Sequence, residues 1–148
     1  MAYWIFKCNP EKYRLPDRLS DPNDSTTWTV AQHKDEIKAG DIAFLWVTGT
    51  DRGIRAVLRV DQDPREQREL ESEQPYWSER DTQDRLRVNC TLTHRHVNLG
   101  HERLREVDGL EDLSVFRGFQ QATNFPVTPE IENYPKINNS TDKYSRVP

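Results

Sequence analysis

The run Ile42-Ala-Phe-Leu-Trp-Val-Thr48 constrains this chain more than any other stretch. Aromatic and β-branched residues dominate it, a composition that suits a pleated, buried surface. Gly40-Asp41 opens it, and Gly49-Thr50-Asp51-Arg52-Gly53 follows as a turn. Residues 54–60, Ile-Arg-Ala-Val-Leu-Arg-Val, then read as an antiparallel hairpin partner. A sheet is therefore committed. Side chains alternate along a strand, so Ala43, Leu45 and Val47 share the face expected to be the core, and Phe44, Trp46 and Thr48 take the other.

The remaining elements arrange themselves around that hairpin. Residues 2–7, Ala-Tyr-Trp-Ile-Phe-Lys, predict a strand that is apolar on both faces and hence central. Residues 10–27 carry Pro10, Pro16 and Pro22 and read as a loop with one helical turn. Ala31 to Lys38 predict a short helix. Residues 61–84 form a long, mostly acidic connection. Leu86, Val88, Cys90 and Leu92 alternate within 85–99, giving a strand or bent strand pair. Leu104, Val107, Leu110, Leu113 and Phe116 recur every three residues and predict a helix over 101–117. A short strand follows near 123–127, and Thr128-Pro129-Glu130 has the form of a helix start. The polar stretch 138–148 reads as a tail or linker. The expectation is an α+β domain over residues 1–137, a mixed sheet or small β-barrel of five or six strands flanked by short helices.

Composition narrows the function. With 148 residues the chain fits one domain, and no apolar run reaches a membrane span. No signal-peptide pattern opens it, and two cysteines are too few for a disulfide scaffold, so a cytoplasmic protein is expected. A formal net charge of -4 argues against a protein that grips phosphates alone. Phosphate loops, nucleophile elbows and zinc motifs are missing from the sequence. His94, His96 and His101 are close together, but they read better as solvated or hydrogen-bonded histidines than as metal ligands. Asp61, Asp63, Glu66 and Glu69 would suit a nuclease metal site, yet their spacing is also that of a solvated acidic loop. No metal or cofactor is expected.

The four tryptophans carry the sharper signal. Trp4 reads as core, and Trp46 is balanced between core and site. Trp28 and Trp77 lie in segments without strong periodicity, which makes them candidates for two walls of an aromatic slot holding a flat base. Lys7, Asn9, Thr29, Thr48 and Asn124 are the polar groups able to accompany such a slot. An asparagine amide offers both donor and acceptor to a base edge. Lys7, Arg14, Arg52 and Arg55 could contact a nucleic-acid backbone. A slot holding a ligand other than nucleic acid is the remaining reading.

The order of these motifs resembles a known family. Tyr3-Trp4-Ile5-Phe6-Lys7-Cys8-Asn9-Pro10, Trp28-Thr29-Val30, Lys38-Ala39-Gly40-Asp41-Ile42-Ala43-Phe44-Leu45-Trp46, Gly53-Ile54-Arg55-Ala56-Val57, Tyr76-Trp77 and Gln121-Ala122-Thr123-Asn124-Phe125-Pro126-Val127-Thr128 are together similar to the EVE domain. That domain belongs to the PUA-like superfamily and is akin to the YTH readers of N6-methyladenine. The resemblance spans roughly residues 2–135. It implies a small β-barrel with a pocket for a flipped-out modified base, 5-methylcytosine or 5-hydroxymethylcytosine in DNA, with modified RNA as the alternative. It further implies that Trp28 and Trp77 are the cage walls, Thr29 the small polar neighbour, Lys7 and Asn9 a Lys-x-Asn strand end, and Thr48 a polar residue nearing the pocket. The third cage aromatic of some YTH relatives has no counterpart near Thr82. Such a domain could serve as the recognition module of a modification-dependent restriction system, with a fused or associated nuclease as partner.

Overall fold

A computed structural model describes residues 1–100 and the backbone of 124–127. The elements run β1 (Tyr3–Cys8), α1 (Leu15–Ser20), β2 (Ser25–Thr29), β3 (Ile42–Val47), β4 (Gly53–Val60), β5 (Arg65–Gln67), one 3₁₀ turn (Gln74–Tyr76), β6 (Arg85–His94), β7 (Leu99–Gly100) and β8 (Asn124–Val127). The helix expected over 101–117, His101, the helix start at Thr128-Pro129-Glu130 and the tail 138–148 lie outside the described residues.

The strands form one eight-stranded sheet in the order β2-β6-β4-β3-β1-β8, with β5 also pairing β6 and β7 pairing β4. The expected hairpin is β3–β4, with a register shift between Leu45 and Trp46. β1 lies inside the sheet as its apolar faces required, parallel to β3 and antiparallel to β8. Among the described residues β2 and β8 do not pair, so the α+β sheet is open where a barrel of five or six strands was expected. The extra strands are short segments, β5 and β7, too brief to leave a periodic signal.

The main core cluster lies on one face of the sheet, while Ile5, Phe44, Trp46 and Ile54 are buried outside it. Trp4, Phe6 and Cys8 of β1 meet Ala43 and Leu45 of β3, Leu58 and Val60 of β4, and Val88 and Cys90 of β6. Asp41 locks this packing: its carboxylate accepts the Trp4 Nε1–H and the Ala2 and Lys38 N–H groups, each at 2.9 Å. Trp4 is thus core, as read. Cys8 and Cys90 are buried free thiols. Burial pushes the Cys8 thiol up to about 12, leaving it protonated and unreactive at neutral pH.

One local expectation fails and another holds only in part, each for an identifiable reason. Residues 31–38 make one turn, Ile37 N–H to His33 C=O at 3.1 Å, because His33 adopts a left-handed φ of 61° that a helix cannot propagate. Residues 10–27 hold the expected helical turn, α1, but also most of β2, which the prolines and polar residues concealed. Pro16 stands in the first turn of α1, where proline's missing N–H costs nothing.

Gly53 begins β4 with φ 155°, and a Cβ there would clash with the Leu99 carbonyl oxygen. Gly53→Ala must therefore displace β7 or strain the strand. A loss of about 2 kcal/mol is expected in urea unfolding. An unchanged midpoint would show that the β4–β7 approach is loose.

Candidate functional site

The sequence-predicted site residues divide into three places. Trp28 and Trp77 come together beneath the 61–84 connection. Thr48 and Arg55 line a cleft at the ends of β1 and β3, and Asn9 precedes Pro10 of its wall in sequence. Lys7 and Trp46 are register partners on neighbouring strands, and alternation along β1 puts Lys7 on the face opposite Trp4, Phe6 and Cys8. Lys7 is accordingly not aimed at the Trp28 side; it is half-buried, and burial lowers its ammonium below the ordinary lysine value. Trp46 is buried. Asn124 stands in β8 opposite Phe6.

Trp28 is not a loop residue. It sits in β2 opposite Val88, is 6% exposed, and belongs to the core cluster. Its ring meets Trp77 edge to face, with centroids 6.4 Å apart and planes at 61°. Tyr13 packs on both, 5.3 Å from Trp28 and 4.6 Å from Trp77. A base sandwiched between two walls needs near-parallel rings about 7 Å apart, twice the ~3.5 Å contact distance. The expected two-walled slot is therefore replaced by a closed aromatic cluster. Its third ring comes from Tyr13, in the proline-rich segment, where nothing in the sequence marked it. The Trp28 Nε1–H is buried and has no acceptor among the described residues, a costly state for an indole N–H.

The acidic connection is solvated at Asp61, Asp63 and Glu66, as its spacing suggested, but not at Glu69 and Glu73. Glu73 is fully buried and Glu69 is 6% exposed. Glu73 accepts hydrogen bonds from the Tyr13 hydroxyl at 2.8 Å, the Thr26 hydroxyl at 2.6 Å and the Arg18 guanidinium. Glu69 accepts from the Thr27 hydroxyl, the Trp77 Nε1–H at 3.1 Å and the Leu70 N–H at 2.9 Å. Thr26 and Thr27 are consecutive in β2 and must project to opposite faces. Segment 69–73 consequently straddles the free edge of β2, protecting an edge that would otherwise offer unpaired backbone groups. The sequence signal for this was a Glu pair four apart opposite a Thr-Thr strand, too common to be specific.

Arg87 completes the rim. Its guanidinium donates to the Asp81 carboxylate at 2.8 Å, the Gln67 carbonyl at 3.1 Å and the Thr29 hydroxyl at 3.3 Å, and lies 3.6 Å from Glu69. Thr29 thus joins the aromatic cluster through Arg87. Hydrogen bonding, chiefly from Arg85, holds Asp81 down at about 2.

Burial pushes the Glu69 carboxyl up to about 7, against the lowering pull of the Leu70 N–H and Arg87. A raised folded-state pKa means that the protonated form is favoured by folding. That stability is full below the unfolded value of about 4.5 and is lost as pH rises through about 7, up to about 3 kcal/mol in all. Thermal unfolding of the wild type should therefore show a downward contribution between pH 5 and 8. Glu69→Gln should flatten it; an identical slope in both proteins would place the titration elsewhere.

The cleft has a volume of about 1060 Å³ and is lined by Pro10, Leu15 and Leu19 on one side and Thr48, Gly49 and Arg55 on the other. Thr48 is fixed by its N–H donating to the Cys8 carbonyl at 3.0 Å. Asn9 is spent locally, its side-chain oxygen accepting the Glu11 N–H at 2.9 Å. Arg55 donates to the Asp51 carbonyl at 2.7 Å, and Arg14 pairs with Asp17 at 3.1 Å. Arg52 is exposed. Among the described residues no three His, Cys, Asp or Glu side chains are grouped to hold a metal.

Among the described residues the chain forms a mostly-strand open sheet with few short helices, an architecture it shares with solved structures of low identity. The chain belongs to the EVE family: the EVE domain model matches residues 2–134. Solved structures agree on the fold. A hypothetical protein from Leishmania major superposes with a TM-score of 0.67 at 17% identity, covering 99% of this chain and 98% of its own. Rpa0253 from Rhodopseudomonas palustris gives 0.64 at 15% identity, over 90% and 89%. Human THYN1 protein, solved in complex with 5-methylcytosine-containing DNA, gives 0.58 at 15% identity over 100% of both chains. Among curated proteins none matches.

Proposed function

We propose that this chain is a non-catalytic reader of a modified base in DNA, 5-methylcytosine or 5-hydroxymethylcytosine, received flipped out at the Tyr13–Trp28–Trp77 cluster. The observation that carries the reading is the buried Trp28 Nε1–H, a donor inside an aromatic cluster without an acceptor among the described residues. A buried donor of this kind costs about 1–3 kcal/mol unless something accepts from it, and a base edge supplies an acceptor. The family and the likeness to a protein solved with 5-methylcytosine-containing DNA support the choice of ligand.

In this reading Trp77, half-buried at the cluster's outer side, turns outward as the base enters and then stacks on it. Stacking on aromatic side chains contributes about 1–3 kcal/mol per base, which offsets the few kcal/mol of unstacking that flipping requires. Thr29 and Arg87 border the entry. Asn9, Thr48, Asn124 and the cleft accompany the flanking strand, with Lys7, Arg14, Arg52 and Arg55 supplying backbone contacts. The protein acts in the cytoplasm as the recognition module of a modification-dependent restriction system, with a fused or associated nuclease.

Tryptophan fluorescence tests the reading at the site itself. Oligonucleotides carrying 5-methylcytosine should shift the emission, and unmodified ones should do so only at higher concentration. Trp77→Ala should weaken binding roughly 5- to 150-fold. A response confined to N6-methyladenine RNA would replace DNA by RNA as the ligand. No response to any oligonucleotide would refute the reading.

A further inference from the structure

Two buried carboxyls border the aromatic cluster, Glu73 on the Tyr13 hydroxyl and Glu69 on the Trp77 indole; the second is the one a methyl-sensing pocket does not need. One of its oxygens, Oε2, accepts the Trp77 Nε1–H at 3.1 Å. The other accepts from the Thr27 hydroxyl and the Leu70 N–H at 2.9 Å. Those latter two partners come from β2 and from the adjacent backbone, and they anchor the carboxyl. The Trp77 indole is the one partner on a half-exposed side chain. When that indole turns outward, Oε2 keeps only the Arg87 guanidinium, 3.6 Å away and already engaged by Asp81. A buried acceptor is left facing the position the indole vacated, and leaving it unpaired is costly.

The group that fits there must donate a hydrogen bond. Carboxylates read cytosine by accepting from its N4 amino group. Thymine has the same 5-methyl group as 5-methylcytosine but presents O4 at that position, which Glu69 repels in its ionised form, so the comparison is made above about pH 8. The Trp28 Nε1–H, a donor in the same cluster, has the opposite polarity and suits the acceptor edge of cytosine.

We propose that Glu69 determines which base is read, its Oε2 accepting the N4–H of a flipped cytosine in place of the Trp77 indole N–H. Resting as it does on the modified-base reading above, this assignment adds a second layer of selectivity. The aromatic rings and the methyl group give affinity, and Glu69 separates 5-methylcytosine from thymine, its keto counterpart.

The test uses the full chain and single-stranded oligonucleotides, so that base pairing does not enter the comparison. One position carries 5-methylcytosine, cytosine, thymine or 5-methyl-2-pyrimidinone, which keeps the methyl group and lacks the amino group. Dissociation constants are read by fluorescence anisotropy. The wild type should prefer 5-methylcytosine over both thymine and the pyrimidinone by roughly 5- to 150-fold. Glu69→Gln, isosteric and able both to donate and to accept, should keep most of its affinity for 5-methylcytosine and bring thymine within about threefold of it. Equal binding of 5-methylcytosine and the pyrimidinone by the wild type overturns the proposal without needing any variant. Retention of the full preference over thymine by Glu69→Gln overturns it as well. Binding of 5-methylcytosine no tighter than cytosine by the wild type instead refutes the modified-base reading, and with it this assignment.

Discussion

Trp28→Ala will lose about 3–5 kcal/mol of stability, the usual cost of truncating a buried large aromatic side chain. The expectation follows from its placement in β2, at 6% exposure and in contact with Tyr13 and Trp77. An exposed slot wall would cost far less. Trp28→Phe separates packing from recognition. It keeps a ring in the cluster and removes an N–H that has no acceptor among the described residues. Its urea midpoint should stay within about 1.5 kcal/mol of wild type. Its affinity for 5-methylcytosine DNA should fall by roughly 5- to 150-fold, the worth of one hydrogen bond restored on binding. A Phe variant that binds like wild type would remove the indole N–H from the account.

Glu73→Ala should be equally severe, at about 3–5 kcal/mol. The side chain is fully buried and accepts from Tyr13, Thr26 and Arg18. Arg18 is itself 1% exposed, so deleting the carboxylate strands a guanidinium without its counter-charge. One other partner would remain to it, the Ser25 carbonyl at 2.7 Å. The lost network also ties the 61–84 connection to α1 and β2, so the aromatic cluster should loosen with it. Urea unfolding should show a lower midpoint, and trypsin should cut the connection faster. A midpoint within 1 kcal/mol of wild type, by the approximate scale of exposed pairs, would mean that the buried pair contributes no more than a surface one.

The sheet was legible where apolar runs and turn residues agreed. β1, β3, β4 and β6 fall where alternation put them, and the core face of β3 is the one carrying Ala43 and Leu45. The edge was not legible. β2 reads Ser-Thr-Thr-Trp-Thr, a strand whose hydroxyls are satisfied by glutamates more than forty residues away in sequence. A long-range polar network of this kind has no periodicity to detect. The same network explains why an apparently solvated acidic connection is partly core. The site was legible as a list and not as an arrangement. Trp28 and Trp77 do meet, but edge to face around Tyr13, while Lys7 and Trp46 belong to β1 and β3. Alternation along β1 was the signal that could have separated Lys7 from the cluster.

The most direct test of the central claim is the affinity of the wild-type chain for two duplexes that differ in a single 5-methyl group, measured by isothermal titration at one salt concentration. A methyl group filling an apolar corner contributes roughly 1 kcal/mol, so the methylated duplex should bind about fivefold more tightly. Equal affinity for the two duplexes would contradict the account.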